Sequence, residues 1–356
     1  MNPRKIITSE SVNIGHPDKT CDTIADAFLD EALRQDANAQ MAVECAIKDD
    51  LLMIYGEATT TARIDYEGIA SAILREIGYT CNFRFIKQIG QQSPEINNAV
   101  VKTEVTANDQ GIVYGYATNE TPEFMPLPIV LAHELMRRYD GLVKRDNRFF
   151  SDAKCQVSVE YENEKPVRVH TILMSVSHGE KISNAEINDI ILKEVIREIG
   201  ASDSPVLIIN PSGAFTIWGS FSDSGCVGRK IVVDTYGGVG RVGGGCFSSK
   251  NGTKIDRSGA YYCRYVAKNI VARGMADRCE ISASYAIGMA EPIKVNIETF
   301  GTEKMGMDKI YKFVHENFNF RPAAIIKELD LLKPQYKQTA CYGHFGRDGF
   351  AWEKII

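Results

Sequence analysis

The feature that most constrains the fold of this chain is a β-hairpin followed by an amphipathic helix, a pattern that occurs three times. Pairs of β-rich runs flanking a polar or proline-containing turn predict hairpins at 41–57, 155–176 and 279–300. Apolar residues at helical spacing predict helices at 66–78, 184–199 and 308–317. The repetition predicts an α+β fold built from three similar domains, over residues 1–100, 101–220 and 221–356. The alternative is that ordinary hairpin–helix units recur by coincidence.

The remaining segments predict more helices and one long loop. Helices are predicted at 18–35, 126–140, 259–276 and 322–332, and Ser258 is the predicted N-cap of the third. Residues 91–111 contain few large apolar residues and several turn formers, which predicts a loop whose length usually signals a function. The uncharged stretch 204–222 is interrupted by Asn210 to Gly213, so no membrane span is predicted there.

Composition excludes several classes of protein. The 356 residues are 44% apolar and 24% charged, which is typical of a globular chain with room for two or three cores. The net charge of −5 argues against a nucleic-acid-binding protein, which usually carries a basic excess. The nine cysteines form no C-x-x-C pair, and the first residues lack an apolar signal core. We therefore expect reduced thiols, a cytoplasmic location and no nucleic-acid or membrane partner.

A glycine-rich basic segment, residues 223–257, is the strongest indication of function. Its nine glycines let backbone N–H groups approach a ligand closely and form anion-binding turns. Six basic residues supply countercharge, namely Arg229, Lys230, Arg241, Lys250, Lys254 and Arg257. Three acids, Asp223, Asp234 and Asp256, lie among them. The combination predicts a site for a polyphosphate with a divalent cation, and the alternative is a solvated Gly/Ser loop.

Two motifs in this segment match known phosphate-binding patterns only in part. Gly238 to Gly243 satisfies G-x-G-x-x-G, but a dinucleotide site requires this turn to open a helix, and the following residues do not predict a helix start. Ser249-Lys250-Asn251 lacks the Gly-Lys-Ser/Thr order of a P-loop.

Two shorter segments carry further candidate residues. His16 and Asp18 lie where Pro17 predicts the start of a helix, a position that favours anions. His16 could donate a hydrogen bond to an oxygen that gains charge, and Asp18 could hold Mg²⁺; the alternative is helix capping by Asp18 and a buried histidine. Asp152 and Lys154 precede a hairpin strand and could reach a nucleotide, or could be surface charges.

Long ordered strings across nearly the whole chain resemble the bacterial type of S-adenosylmethionine synthetase (methionine adenosyltransferase). They include TSESVNIGHPDK, IGQQSPEIN, DQGIVYGYATNE, GRKIVVDTYGG, RYVAKNIVARGMADRCEISASYAIG and Cys341 to Arg347. The resemblance implies three α+β domains about a pseudo-threefold axis. It also implies that the methionine sulfur attacks C5′ of ATP and expels tripolyphosphate, which is hydrolysed to pyrophosphate and phosphate. A homodimer or homotetramer with active sites at the dimer interface is expected.

The resemblance assigns roles to residues of this chain. Those implied to be catalytic are His16, Lys154, Arg229 and Lys250. Those implied to bind ATP are His16, Asp152, Lys154, Phe215, Asp223, Arg229, Lys230, Cys246 and Lys250. Those implied to bind methionine are Glu57, Gln92, Asp109, Asp223 and Lys254. The metal ligands implied are Asp18 and Asp256 for two Mg²⁺ ions and Glu44 for K⁺.

The chain departs from the family pattern at several site positions. The family's GAGDQG signature is Thr106-Ala-Asn108-Asp109-Gln-Gly111 here, and the loop after Gln92 is a few residues shorter. Cys246 replaces the usual alanine and Asn251 the usual aspartate. These changes leave two alternatives to the synthetase activity, a tripolyphosphatase and a nucleotide-binding regulatory homologue. Retention of His16, Lys154 and Asp109 argues against a pure binding protein.

Overall fold

The computed structural model describes residues 4–91, 105–199 and 205–356. Its strands are β1 (Lys5–Val12), β2 (Gln40–Lys48), β3 (Leu51–Thr59), β4 (Arg84–Gly90), β5 (Gly111–Thr118), β6 (Phe149–Glu162), β7 (Lys165–His178), β8 (Val206–Ile209), β9 (Gly225–Cys226), β10 (Arg278–Tyr285) and β11 (Lys294–Glu298). Its α-helices are α1 (Pro17–Gln35), α2 (Tyr66–Ile77), α3 (Leu127–Arg145), α4 (Asn184–Ile191), α5 (Ile231–Asp234), α6 (Ile255–Ala272), α7 (Met307–Asn317) and α8 (Pro322–Glu328).

All three predicted hairpins are confirmed, and each lies in its own sheet. The described strands form sheets of order β4-β3-β2-β9, β1-β6-β7-β8 and β11-β10-β5. Antiparallel ladders join β2 to β3, β6 to β7 and β10 to β11. Side chains of β2 alternate between buried and half-buried, as a strand with one face on a core requires. The α+β class predicted from the sequence is therefore confirmed.

Each sheet also contains a strand from a distant part of the chain. The first strand, β1, pairs with β6, while β5 pairs with β10 and β9 pairs with β2. Each of the three predicted domains thus contributes one strand to the sheet of another. The consequence for function is that β9 carries the beginning of the glycine-rich segment to the edge of the first sheet.

Three helix predictions agree closely with the structure. Helices α1 and α7 begin and end within one residue of the predicted bounds. Helix α2 ends at Ile77, and Gly78 caps it with a φ of 118°, a left-handed conformation that suits glycine. The N-cap of α2 is Asp65, whose side chain accepts a hydrogen bond from the backbone N–H of Gly68.

Other predicted helix bounds were wrong. The α-helical part of 184–199 ends at Ile191, and a π-helical turn and a 3₁₀ turn continue it to Ile199. Helix α3 extends to Arg145, and α8 ends at Glu328. Helix α6 begins at Ile255, so Ser258 lies inside it and donates to the carbonyl of Lys254.

Apolar side chains form three buried clusters, one against each sheet. The long helices α1, α3 and α6 pack on β2, β6 and β5 respectively. The nine cysteines, all within the described residues, are free thiols. Among the helices that the structure describes, none is long and apolar enough to span a bilayer.

A buried ionic network ties the C-terminal residues to α6. Glu353 accepts from Arg264 at 2.9 Å and from Lys268 at 2.8 Å, and all three side chains are almost completely inaccessible. Arg264 also donates to the carbonyl of Tyr116 on β5. Burial opposes ionisation of Glu353, but the charges and hydrogen bonds of Arg264 and Lys268 outweigh it and lower its pKa.

We predict that Glu353→Gln lowers the free energy of unfolding by about 3 kcal/mol at neutral pH, because it leaves two buried cations without a countercharge. A carboxylate with a depressed pKa stabilises the fold above its unfolded pKa and loses that effect as the pH falls. Urea titrations should therefore show a difference in the free energy of unfolding between wild type and variant, and this difference should become smaller below pH 4.5, the ordinary pKa of a glutamate. A difference independent of pH would contradict the role of the charge.

Candidate active site

The turn before α1 holds His16 in a fixed position. A Cβ on Gly15 would lie 1.4 Å from the carbonyl oxygen of Ser151, so only glycine permits this approach to β6. His16 is the N-cap of α1, and its Nδ1 accepts from the backbone N–H of Asp18 at 3.2 Å. The structure therefore gives the capping role to His16 and leaves the Asp18 carboxylate for other partners.

Basic residues of the glycine-rich segment surround the Asp18 carboxylate. Its Oδ2 accepts from Lys230 Nζ at 2.6 Å, and its Oδ1 lies 3.4 Å from Arg229 Nε. The same Oδ1 accepts from the backbone N–H of Cys226 in β9 at 3.0 Å. Asp18 is fully buried, so these contacts supply the countercharge that a buried carboxylate needs.

His16 is a neutral hydrogen-bond donor. Because its Nδ1 accepts a backbone N–H, the ring proton lies on Nε2. Burial, followed by the positive charge of Lys230, lowers the pKa of His16 to about 3, although Asp18 opposes the shift. A ring held in this tautomer can donate from Nε2 at physiological pH.

Asp152 and Lys154 of β6 lie near this histidine. Asp152 is buried and accepts from the backbone N–H of Gly219 at 2.8 Å. Burial raises the pKa of Asp152 to about 7, the nearby Asp223 adds to the shift, and Lys154 opposes it. Lys154 and Asp223 also affect the pKa of His16, Lys154 lowering it and Asp223 raising it. We call His16, Asp18, Asp152, Lys154, Asp223, Arg229 and Lys230 the first cluster.

A second cluster of predicted residues is centred on Lys250 and Asp256. Their side chains meet at 2.6 Å, and Asp256 also accepts from the backbone N–H of Gly245 at 3.0 Å. A Cβ on Gly245 would lie 2.6 Å from Lys250 Nζ, so a side chain there would displace the lysine. Lys254 Nζ lies 3.6 Å from Glu57 Oε1 on β3.

Glu44 and Cys246 lie beside the second cluster. Glu44 of β2 accepts from Tyr55 Oη on β3 at 3.3 Å, and its charge contributes to the raised pKa of Lys250. Burial is the main cause that raises the pKa of Cys246 to about 11, so its thiol is neutral at physiological pH. We include both residues with Glu57, Lys250, Lys254 and Asp256 in the second cluster.

The remaining predicted residues have separate surroundings. Phe215 is half-buried; its backbone N–H donates to His178 Nε2 at 3.2 Å, and its carbonyl accepts from the backbone N–H of His178 at 2.9 Å. Asp109 is exposed and accepts from the adjacent Gln110 N–H. Gln92 lies outside the described residues.

The structure also bears on two alternatives for the glycine-rich segment. Gly238 to Gly243 continue into coil that reaches Lys250, so they do not open the helix that a dinucleotide site requires. Gly238, Arg241, Val242 and Gly244 are exposed, whereas Phe247, Ser248 and Ser249 are buried, so the stretch is not solvated throughout.

Sequence reasoning missed two sets of residues that shape the site. On α1, Asp22 accepts from the backbone N–H of Gly228, and Asp26 accepts from the backbone N–H of Ser249 and from Arg257. The regular spacing of aspartates at 18, 22, 26 and 30 in a predicted helix was the available signal. Asn108, at a lost family glycine, accepts from the N–H of Ile255 at 2.8 Å and so caps α6 beside Asp256.

Family models match nearly the whole chain. The models of the S-adenosylmethionine synthetase N-terminal, central and C-terminal domains match residues 4–107, 104–215 and 217–354. The chain is similar to proteins named S-adenosylmethionine synthase. That of Mesoplasma florum is 47% identical over 99% of this chain and 98% of its own length. Those of Sorangium cellulosum and Mycoplasma capricolum are each 45% identical, over 98% and 99% of this chain and 87% and 95% of their own lengths.

We predict that His16 remains neutral with its proton on Nε2 from about pH 5 to about pH 8, a range in which an ordinary histidine titrates. Nuclear magnetic resonance of ¹⁵N- and ¹³C-labelled histidine rings should show one signal of this tautomer that does not move with pH. The protein has six histidines, and the signal lost in His16→Asn identifies the residue. Titration of that signal near 6.5 would contradict the assignment.

Proposed function

Because the chain belongs to the S-adenosylmethionine synthetase family, we propose that it synthesises S-adenosylmethionine from ATP and L-methionine. The observation that carries the proposal is the neutral donor His16, buried beside Asp18 and Lys230. A reaction that expels a polyphosphate needs a donor at the departing oxygen and cations along the leaving group.

The reaction that we propose is a displacement at carbon. A lone pair of the methionine sulfur forms the S–C5′ bond while the C5′–O5′ bond breaks, and its electron pair leaves on the tripolyphosphate. The product is a sulfonium ion. Water then cleaves tripolyphosphate to pyrophosphate and phosphate. Since a neutral thioether needs no general base, the enzyme contributes alignment and charge stabilisation.

In this proposal residues of both clusters contact ATP and methionine. His16 Nε2 donates to O5′ as negative charge develops there, and Lys154, Arg229 and Lys230 contact the phosphates. Lys250 adds charge from the second cluster. Asp152, Asp223, Phe215 and Cys246 line the nucleotide, Phe215 against adenine. For methionine the proposed contacts are Glu57, Gln92, Asp109, Asp223 and Lys254. The carboxylates of Glu57, Asp109 and Asp223 suit the ammonium group of methionine.

The carboxylates of the two clusters fit Mg²⁺. Mg²⁺ prefers hard oxygen ligands, and it commonly takes one or two carboxylates, substrate phosphates and water. Within the described residues no group of three or more metal-ligating side chains is found, so phosphate oxygens would complete any site at Asp18 or Asp256. When bound, Mg²⁺ would neutralise charge on the leaving group. Glu44, whose carboxylate is half-buried beside Tyr55, is the proposed K⁺ ligand.

We further propose a homodimer, alone or within a homotetramer, whose active site combines clusters from two subunits. The support is a pair of exposed apolar side chains on the first sheet. Met53 of β3 and Ile86 of β4 are partners in the ladder and are 38% and 50% exposed. Adjoining apolar side chains left exposed on a sheet suit burial at an interface. A cytoplasmic location is part of the same proposal, since the free thiols suit a reducing compartment.

One assay tests the proposed activity against the two alternatives. Purified protein is supplied with ATP, methionine, Mg²⁺ and K⁺, and S-adenosylmethionine, pyrophosphate and phosphate are measured. Equimolar formation of all three supports the synthetase. If no S-adenosylmethionine forms, hydrolysis of tripolyphosphate added to a parallel sample would indicate a tripolyphosphatase. ATP binding without any of these products would indicate a regulatory homologue. Replacing K⁺ by Na⁺ tests Glu44.

We predict that His16→Asn slows S-adenosylmethionine formation by about 10²–10³-fold and changes the Kd of ATP much less, because a donor at a developing oxyanion acts mainly in the transition state. Single-turnover rates and calorimetric binding of ATP measure the two effects. His315→Asn, on the exposed surface of α7, is the matched control and should leave both unchanged. A normal rate with only a raised KM for ATP would make His16 a binding residue.

We predict that excess EDTA abolishes product formation and that added Mg²⁺ restores it. Asp18→Asn and Asp256→Asn should each raise the Mg²⁺ concentration needed for half-maximal rate, because each removes a proposed ligand. Asp189→Asn removes a surface carboxylate that pairs with Lys193 and should behave as wild type. Full activity in EDTA would contradict the metal requirement.

A further inference from the structure

Asn13 joins the two backbone segments that carry the first cluster. It is fully buried between the end of β1 and the turn before α1. Its backbone N–H donates to the carbonyl of Ala153 at 3.2 Å, and its side-chain Oδ1 accepts from the N–H of Ala153 at 2.9 Å. Its own carbonyl accepts from the N–H of His16 at 3.2 Å. One residue is therefore bonded to both the histidine turn and the strand of Asp152 and Lys154.

The contact with Ala153 lies where regular strand pairing is interrupted. The ladder between β1 and β6 ends at the pair Val12 and Lys154, and the pairing of β6 with β7 shifts register between Phe149 and Ala153. At such an irregularity the backbone position is set by local contacts rather than by a continuous ladder. The amide of Asn13 provides such a contact next to Asp152.

Asp140 of α3 fixes the orientation of the Asn13 amide. Its Oδ1 accepts from Asn13 Nδ2 at 3.0 Å, and its Oδ2 accepts from Tyr342 Oη. Burial raises the pKa of Asp140 to about 6, while the Asn13 hydrogen bond and Lys144 oppose the shift. An ionised carboxylate can only accept, so Nδ2 must point to Asp140 and Oδ1 must point to Ala153.

We propose that Asn13 and Asp140 form a positioning pair that holds the His16 turn at a fixed distance from Asp152 and Lys154. The proposal rests on the proposed function, because those three residues are its donor and phosphate-binding groups. Neither member of the pair reaches the substrates; they act through the backbone on either side of the site. Displacements of about 1 Å in such groups can cost about 10²-fold in rate.

Exchanging the two side chains provides a sharp test. In Asn13→Asp two carboxylates face each other across the present 3.0 Å contact, and they repel. In the double variant N13D/D140N, the carboxylate introduced at position 13 can accept from the Ala153 N–H and from the amide nitrogen introduced at position 140. The oxygen of that new amide can accept from Tyr342. All three hydrogen bonds are then present again, with donor and acceptor exchanged in the bond between positions 13 and 140. Recovery of activity in the double variant relative to N13D would therefore be specific to this pair.

We expect N13D to lower kcat by about 10-fold to about 100-fold with a smaller change in the KM for ATP, because the substrate contacts themselves remain. The double variant should recover to within about threefold of wild type. The matched control is Asn119→Asp, since Asn119 Nδ2 donates to Asp277 Oδ1 at 2.9 Å on the surface. This control places the same two charges together away from the site and should leave kcat unchanged.

The ring signal of His16 supplies a second readout that needs no turnover. It should shift in N13D and return towards its wild-type position in the double variant. Normal kcat and ring signal in N13D, or a double variant as impaired as N13D, would overturn the positioning role. If wild type forms no S-adenosylmethionine, the proposed function fails, and the ring signal still decides whether the pair positions His16.

Discussion

The structure around the site depends on four buried aspartates, spaced four residues apart along α1. Asp18, Asp22, Asp26 and Asp30 lie on one side of the helix, and a carboxylate in the interior must find donors. The donors come from later parts of the chain, at the backbone N–H groups of Cys226, Gly228, Ser249, Tyr336 and Lys337. Helix α1 therefore positions the glycine-rich segment and the C-terminal region, whose backbone N–H groups donate to its aspartates. Removing Asp18 or Asp26 would deprive both a backbone N–H group and a cation, Lys230 or Arg257, of its carboxylate partner.

Pairing of cations with carboxylates is how a chain with a net charge of −5 would hold the polyanion site that we propose. Lys230 pairs with Asp18 and Lys250 with Asp256, so the cations are already in place and partly neutralised. An arriving polyphosphate would compete for the two lysines, and each lysine that turns to a phosphate frees a carboxylate oxygen. A divalent cation bound to that oxygen would keep the local charge balanced. The same ion pairs that order the free protein would thus become the ligands of the metal–nucleotide complex.

Local pattern was sufficient to predict the hairpins, most helices and the chemical character of the glycine-rich segment. The spacing of apolar residues predicts the strands and helices, and distant contacts change their type little. Local patterns could not predict that β1, β5 and β9 each pair with a strand of another predicted domain. Strands that pair across more than about a hundred residues carry no local signal that identifies their partner. Local patterns also placed the start of α6 too late, because the N–H of Ile255 donates to the side chain of Asn108, a residue distant in sequence. Asn13 lies within the string TSESVNIGHPDK, but nothing in the sequence pairs it with Asp140, and only the fold brings the two side chains together.

The placement of His16 shows why these distant contacts matter for the proposed reaction. A histidine can donate reliably only if its proton stays on the right nitrogen and the ring stays uncharged. The Asp18 N–H fixes the tautomer, and burial with Lys230 keeps the ring neutral. Burial of the His16 ring in turn depends on the close approach of Gly15 to Ser151. These two residues lie just beyond Val12 and Lys154, the last pair of the β1–β6 ladder, so their approach depends on how β1 and β6 are aligned. The position of the proton on the ring thus depends on contacts between the turn before α1 and β6, which is why we propose that Asn13, and not a charged residue, positions His16.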